Sequence, residues 1–236
     1  MTELRIAAVG DIHLGEDVRG RYRERLAGIE ERADALLLAG DLTRHGTLEE
    51  GRLVADEVRG LPIPVVAVLG NHDYHSDQQY EIAAELRDAG VRVLDDDGTV
   101  LPCGLGIVGG KGFGGGFAGK CASEFGEREI KNFVAHTRHI AESWRVALKE
   151  LDARTRVVLS HYSPVKETLE GEPPEIYPFL GSYLLAEAVD TVGADLFLHG
   201  HAHKGAEKGM TPGGIRVRNV ALPVLGRAYG IYCVAA

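Results

Sequence analysis

Residues able to bind metal ions or move protons recur along this chain in short, similar settings. Asp11 and His13 follow Gly10, Asp41 follows Gly40, and Asn71, His72 and Asp73 follow Gly70. Further on, His161 follows Ser160, and His199, His201 and His203 alternate with Gly200 and Ala202. A donor set of carboxylate, imidazole and neutral amide oxygen, without thiolate, suits Mn, Fe, Co, Ni or Zn. In extended backbone alternate residues point to one side, so Asp11 with His13, and His201 with His203, can each grip one ion. The two oxygens of a carboxylate such as Asp41 can bridge a pair of ions. Glycine ahead of Asp11, Asp41, Asn71 and His201 permits tight turns that a side chain would hinder.

Each group stands just behind a segment that reads as a strand. Leu4–Val9, Ala35–Ala39 and Pro64–Leu69 are apolar runs closed by glycine. Between them, Val18–Ala33 and Leu48–Gly60 carry apolar residues at helical spacing, and Gln79–Ala89 fits a third helix before the strand Val91–Leu94. This alternation predicts parallel strands covered by helices, with the loops after the strands along one edge. Sites in open α/β sheets lie at that edge. Thr99–Leu101 and Leu105–Val108 read as a hairpin around Pro102-Cys103-Gly104, and the glycine-dense stretch Gly109–Gly119 as a loop. About Glu127–Leu151 the pattern predicts the longest helix, with Ile130, Phe133, Val134, Ile140, Trp144 and Leu148 on one stripe. Strands are expected at Arg156–Leu159, Ala194–Leu198, Val217–Val220 and Tyr229–Val234, a helix at Tyr183–Val192, and a proline-rich loop at Glu167–Pro178. No internal repeat or linker stands out, so residues 1–236 are expected to form a single domain.

In order and spacing these groups resemble the calcineurin-like metallophosphoesterase superfamily. Its pattern D-x-H, G-D, G-N-H-D/E, H, G-H-x-H is matched by Asp11/His13, Gly40-Asp41, Gly70-Asn71-His72-Asp73, His161 and Gly200-His201-Ala202-His203. The compact first motif and separate tandem-histidine motif look most like the bacterial phosphodiesterase branch. The resemblance implies an α/β fold: a four-layer α/β/β/α sandwich of two mixed β-sheets flanked by helices. It implies two metal ions, Mn or Fe favoured over Zn. Asp11, His13, Asp41 and His203 would hold one, and Asp41, Asn71, His161 and His201 the other. It further implies a hydrolase in which a metal-activated hydroxide attacks phosphorus in line. His72 would protonate the leaving group, and Asp73 would orient the His72 ring. The expected substrate is a phosphodiester in a small molecule or nucleotide. The alternatives are a phosphomonoesterase with the same site and a non-catalytic protein-interaction scaffold reusing the fold.

Composition sets the remaining bounds. The 236 residues carry 26 Lys+Arg against 35 Asp+Glu, a formal net charge of −9. That balance counts against sequence-independent nucleic-acid binding, which relies on many Lys/Arg–phosphate contacts. No apolar run approaches the ~20 residues of a membrane span, so no membrane partner is expected. Without an apolar leader, and with only Cys103, Cys121 and Cys233, a cytoplasmic location without disulfides is expected. The cysteines are read as small buried hydrophobes. Arg44 fits either a substrate phosphate or a surface ion pair. The loop of Lys111, Phe113 and Phe117 fits either a substrate-binding flap or a surface excursion. The acidic loop before Tyr177 and Phe179 is a possible lid over the cleft. His199 is expected to pack inside, and His45, His75, His136 and His139 to lie on the surface, with His75 and Tyr74 near enough to reach the cleft.

Overall fold

The computed structural model describes residues 3–236. In chain order the strands are β1 (Glu3–Val9), β2 (Ala35–Ala39), β3 (Val65–Val68), β4 (Val91–Val93), β5 (Asp97–Val100), β6 (Leu105–Gly110), β7 (Gly116–Phe117) and β8 (Lys120–Cys121). They continue as β9 (Thr155–Ser160), β10 (Leu196–His199), β11 (Lys208–Met210), β12 (Arg216–Asn219) and β13 (Gly230–Ala235). The helices are α1 (Arg21–Arg25), α2 (Leu48–Val58), α3 (Gln79–Asp88), α4 (Arg128–Glu150), α5 (Tyr177–Leu180), α6 (Tyr183–Val192) and α7 (Leu222–Leu225).

Two large mixed sheets form, in the orders β13-β1-β2-β3-β4 and β11-β12-β10-β9-β6-β5. Strands β1 to β4 run parallel, as do β12, β10, β9 and β6, whereas β13, β11 and β5 are antiparallel additions. Alternation along each strand accounts for the layers. Ile6, Ala8, Leu37, Val66 and Val68 of one sheet share a buried cluster with Ile107, Val157, Leu159, Leu196 and Leu198 of the other. The opposite parity faces helices: Ala7, Leu36, Leu38 and Ala67 meet Leu26, Val54, Val58, Ile82 and Leu86. On the far side Val158, Phe197 and Val217 meet Ile140, Trp144, Leu148, Leu185 and Val189. With both faces covered, the central strands must be apolar at every position, hence the uninterrupted ALLLA of β2, which is buried throughout. This is the four-layer sandwich.

Several expectations need correction. The helix expected over Val18–Ala33 is broken into short turns and α1, because Gly20 and Gly28 adopt left-handed backbone with φ of 78° and 72°. The glycine-dense stretch is neither a flap nor an open excursion. Its amides at Gly115 and Gly116 donate to the carbonyls of Pro178 and Gly181 (2.7 and 2.8 Å), and Gly112 to Phe117 are mostly buried. A Cβ at Gly114 would overlap the Pro178 carbonyl, so glycine is needed there for close chain approach rather than for motion. Cys103, Cys121 and Cys233 are all exposed. Ile130 lies on the α4 stripe but is exposed. Among the described residues, no helix is long and apolar enough to cross a membrane.

Candidate metal centre

The C-terminal ends of β1, β2, β3, β9 and β10 come from both sheets and open onto one place. Asp11, His13, Asp41 and His203 bring ligand atoms within 4.8 Å of one another, and so do Asp41, His161 and His201. Asp41 belongs to both groups and lies between them. Asn71 joins the second group, its Oδ1 being 2.9 Å from His161 Nε2.

The backbone at these positions is unusual. Asp11, His13, Asp41 and His201 have φ of 56°, 43°, 51° and 72°, the left-handed region that costs a side-chain-bearing residue free energy. The turns are held by backbone bonds across strands: Asp11 N–H donates to the Gly40 carbonyl (2.9 Å) and His13 N–H to the Asp41 carbonyl (3.0 Å). Asp11 also fastens one sheet to the other, because the His201 amide donates to its Oδ2 at 2.9 Å. Two of the motif glycines serve close approach. A Cβ on Gly70 would collide with the Asp41 carboxylate, and one on Gly200 with that of Asp11.

Ring orientations decide which nitrogens face the centre. A carbonyl oxygen can only accept, so His161 Nδ1–H donates to Ala39 O (2.9 Å), and His201 Nε2–H to Phe179 O (3.1 Å). In the neutral ring each bond fixes the tautomer and turns the lone pair of the other nitrogen towards the centre, the usual arrangement behind a metal-bound histidine. Around His161 Nε2 stand Asn71 Oδ1 and, at 3.3 Å, Asp41 Oδ1. In the other group His203 Nε2 is 2.9 Å from Asp11 Oδ1 and 3.4 Å from His13 Nε2, and His13 Nε2 is 3.8 Å from Asp41 Oδ2. In both groups imidazole nitrogens and carboxylate oxygens converge on one point, an arrangement that a cation satisfies. The residues present fit two ions of the Mn, Fe or Zn kind.

The electrostatics divide the four histidines. Burial opposes ionisation of Asp41, but the His161 ring and the His72 amide outweigh it and hold the carboxyl well below the usual range. Burial likewise pushes His161 down, and Asp41 overcomes it, lifting the imidazole to about 9. The His201 ring is pushed down to about 3, by burial first and His161 second. Burial also lowers His13, against the pull of Asp41 and Asp11. Burial thus favours the neutral ring that metal ligation requires at His13 and His201, whereas His161 and His203, raised by the carboxylates beside them, would release a proton when an ion binds.

His72 lies at the rim. Its amide donates to Asp41 Oδ1 (2.8 Å), its ring Nδ1–H donates to the Arg44 carbonyl (2.8 Å), and its Nε2 is 3.9 Å from Asp41 Oδ2. This corrects the role expected of Asp73, which was to orient the His72 ring. Asp73 is fully buried and accepts from the amides of Leu42, Thr43 and Gly70 and from the Thr43 hydroxyl, at 2.6–3.2 Å. It holds the two ligand loops together, and a main-chain oxygen orients the ring in its place. Burial and the neighbouring Asp41 push the Asp73 carboxyl up, while those donors pull it down.

The two expected phosphate-binding cations are placed differently from each other. Arg44 pairs with Asp17 (2.9 Å) on the surface. Lys111 is folded into an aromatic box, its Nζ 4.8–5.3 Å from the ring centroids of Tyr74, Phe113 and Tyr162. Burial lowers the ammonium, opposed by Asp96, Asp95 and Asp41. The possible lid contributes a backbone group, the Phe179 carbonyl on His201, while the Phe179 ring is exposed. His199 is buried as expected: Nδ1–H donates to Gly200 O (2.7 Å), and Nε2 accepts from the Thr168 hydroxyl (2.8 Å).

Asn219 was missed by sequence reasoning. Fully buried at the end of β12, it donates from Nδ2 to Ala202 O (2.8 Å) and accepts at Oδ1 from the Ala221 amide (3.1 Å). It therefore pins the turn between His201 and His203. No local signal marked it, since β12 reads Arg216-Val217-Arg218-Asn219 and a further polar residue there does not stand out.

A family model described as calcineurin-like phosphoesterase matches residues 4–205. Among solved structures, this chain is similar to a phosphopantetheinyl hydrolase from Mycobacterium tuberculosis, with 17% identity, TM-score 0.67 and coverage of 92% of this chain and 88% of that one. It is also similar to GAP50, the anchor in the inner membrane complex of Plasmodium (12%, TM-score 0.54, 94% and 73%). A third similar structure is a purple acid phosphatase from yellow lupin seeds (13%, TM-score 0.52, 93% and 44%), of which the chain spans less than half. At these identities the likeness is one of fold. A search of curated proteins by sequence found no match.

Proposed function

The chain belongs to the calcineurin-like phosphoesterase family, and from that premise we propose that it is a dinuclear metal-dependent hydrolase of phosphodiesters in small molecules or nucleotides. The observation that carries this reading is the sharing of Asp41 between two ligand groups. When bound, the two ions supply Lewis-acid polarisation of the phosphoryl oxygens and a nucleophile derived from water at neutral pH.

The chain's own residues do the rest. Asp11, His13, Asp41 and His203 would hold one ion, and Asp41, Asn71, His161 and His201 the other. The carbonyls of Ala39 and Phe179 keep the His161 and His201 rings in the ligating tautomer. His72 has Nδ1–H committed to Arg44 O, so Nε2 is the atom free to hold a proton for the leaving oxygen. Asp73 acts as a positioning residue, fixing the loop that carries His72 against Thr43. A monoanionic diester suits this centre better than a dianionic monoester, because Arg44 is paired with Asp17 and Lys111 is enclosed by aromatic rings.

The test is metal analysis followed by turnover. Protein loaded with Mn²⁺ is expected to retain two equivalents and to hydrolyse bis-p-nitrophenyl phosphate faster than p-nitrophenyl phosphate, with activity lost to a chelator. Faster turnover of the monoester would move the reading to a phosphomonoesterase. Failure to retain metal or to cleave either ester would overturn it.

A further inference from the structure

Beside the metal centre lies a cavity of about 320 Å³ that the reaction does not account for. It is lined by His13, which belongs to the first ligand group, by the cations Arg21, Arg25 and Arg44, and by apolar residues including Tyr22 and Leu222. Among the described residues no carboxylate lines it, although Asp17 pairs with Arg44 beside it, in a chain whose net charge is −9.

The arrangement follows from the broken helix. Arg21 and Arg25 are one helical turn apart on α1, so they share a face. Arg23 points elsewhere and donates to the carbonyls of Asp56 (3.2 Å) and Arg59 (2.8 Å). Among the described residues, no carboxylate lies within ion-pair distance of Arg21 or Arg25, whereas Arg44 is engaged by Asp17 at 2.9 Å. Tyr22 is buried, its hydroxyl donating to Ala228 O (2.9 Å), which braces the short helix, while Arg21 and Arg25 are exposed. Guanidinium groups recognise phosphate by paired N–H donors.

We propose that the cavity lined by His13, Arg21, Arg25 and Arg44 is a subsite for a second phosphate group, so that the substrate class is a phosphodiester carrying a further, non-scissile phosphate. This rests on the phosphoesterase reading of the adjoining centre and narrows it. The scissile group lies at the ions, and the second phosphate meets Arg21 and Arg25.

Two measurements on the full chain test it. The first is calorimetric binding of thymidine 3′-monophosphate and of thymidine in the presence of chelator. The monophosphate is expected to bind at least tenfold more tightly, and Arg21→Ala/Arg25→Ala to remove that advantage. Equal affinities in the wild type, or an advantage that survives in the double variant, would overturn the subsite. The second is turnover by Mn²⁺-loaded protein of thymidine 5′-(p-nitrophenyl phosphate) with and without a 3′-phosphate. A KM lower by tenfold or more for the 3′-phosphorylated ester, collapsing towards equality in the double variant, supports the proposal, and equal KM values in the wild type contradict it. If neither ester is cleaved, the phosphoesterase reading fails and the binding measurement still decides the subsite.

Discussion

Asp41 and His161 meet across the two sheets, with Oδ1 of one 3.3 Å from Nε2 of the other. Asp41 follows β2 in the first sheet and His161 follows β9 in the second, so the packing of the sheets itself creates the contact. Because Asp41 also reaches the Asp11, His13 and His203 group, changing it tests the whole centre. Asp41→Asn is expected to reduce bound metal from two equivalents to below one and to lower kcat by at least a thousandfold. Atomic emission on dialysed protein, alongside turnover, checks this.

His72 offers a different outcome. In His72→Ala both ions are expected to remain, since the ring lies at the rim, while turnover falls about 10²–10⁴-fold, the usual range for acid–base groups. The loss is expected to be larger for a diester with an alkoxide leaving group than for one releasing p-nitrophenolate, which needs little protonation. Equal losses for both esters would remove His72 from leaving-group protonation.

Asn219 acts through the turn it holds. Asn219→Ala strips partners from the Ala202 carbonyl and the Ala221 amide. Leaving a buried polar group unsatisfied costs about 1–3 kcal/mol. A partner that orients metal ligands typically changes metal affinity 10–100-fold. Denaturant unfolding with and without Mn²⁺ separates the two effects, and an unchanged metal affinity would reduce Asn219 to a stabilising role.

His199 sets a dependence of stability on acid. Burial pushes its ring down to about 4, against about 6.5 in an unfolded chain. The unfolded state therefore binds a proton that the folded state refuses between these values. The stability this ring contributes is complete above pH 6.5 and declines as pH falls towards 4, by up to about 1.4 kcal/mol per unit. Measured over pH 4–6.5, the slope of unfolding free energy is expected to be shallower by close to one proton in His199→Gln than in the wild type.

Motif and alternation were both readable along the chain. The apolar runs of β1, β2 and β3 stood out because strands covered on both faces admit no polar residue, and Asp11, Asp41 and Asn71 could be placed directly after them. The region Val18–Ala33 misled, because its apolar spacing is helical while Gly20 and Gly28 break the chain into turns. The cysteines misled as well, since a small apolar side chain carries no local signal of exposure.

The amino-acid sequence alone determined the ligand types, their order behind successive strands and the alternating faces that force two sheets between helices, because each depends on neighbours a few positions apart. Only the tertiary structure decided that the Arg44 carbonyl rather than Asp73 orients His72, that the carbonyls of Ala39 and Phe179 select the tautomers of His161 and His201, and that Asn219 holds their turn. Those partners are mostly main-chain oxygens, identical at every residue and brought into place by strand packing, so no side-chain pattern announces them.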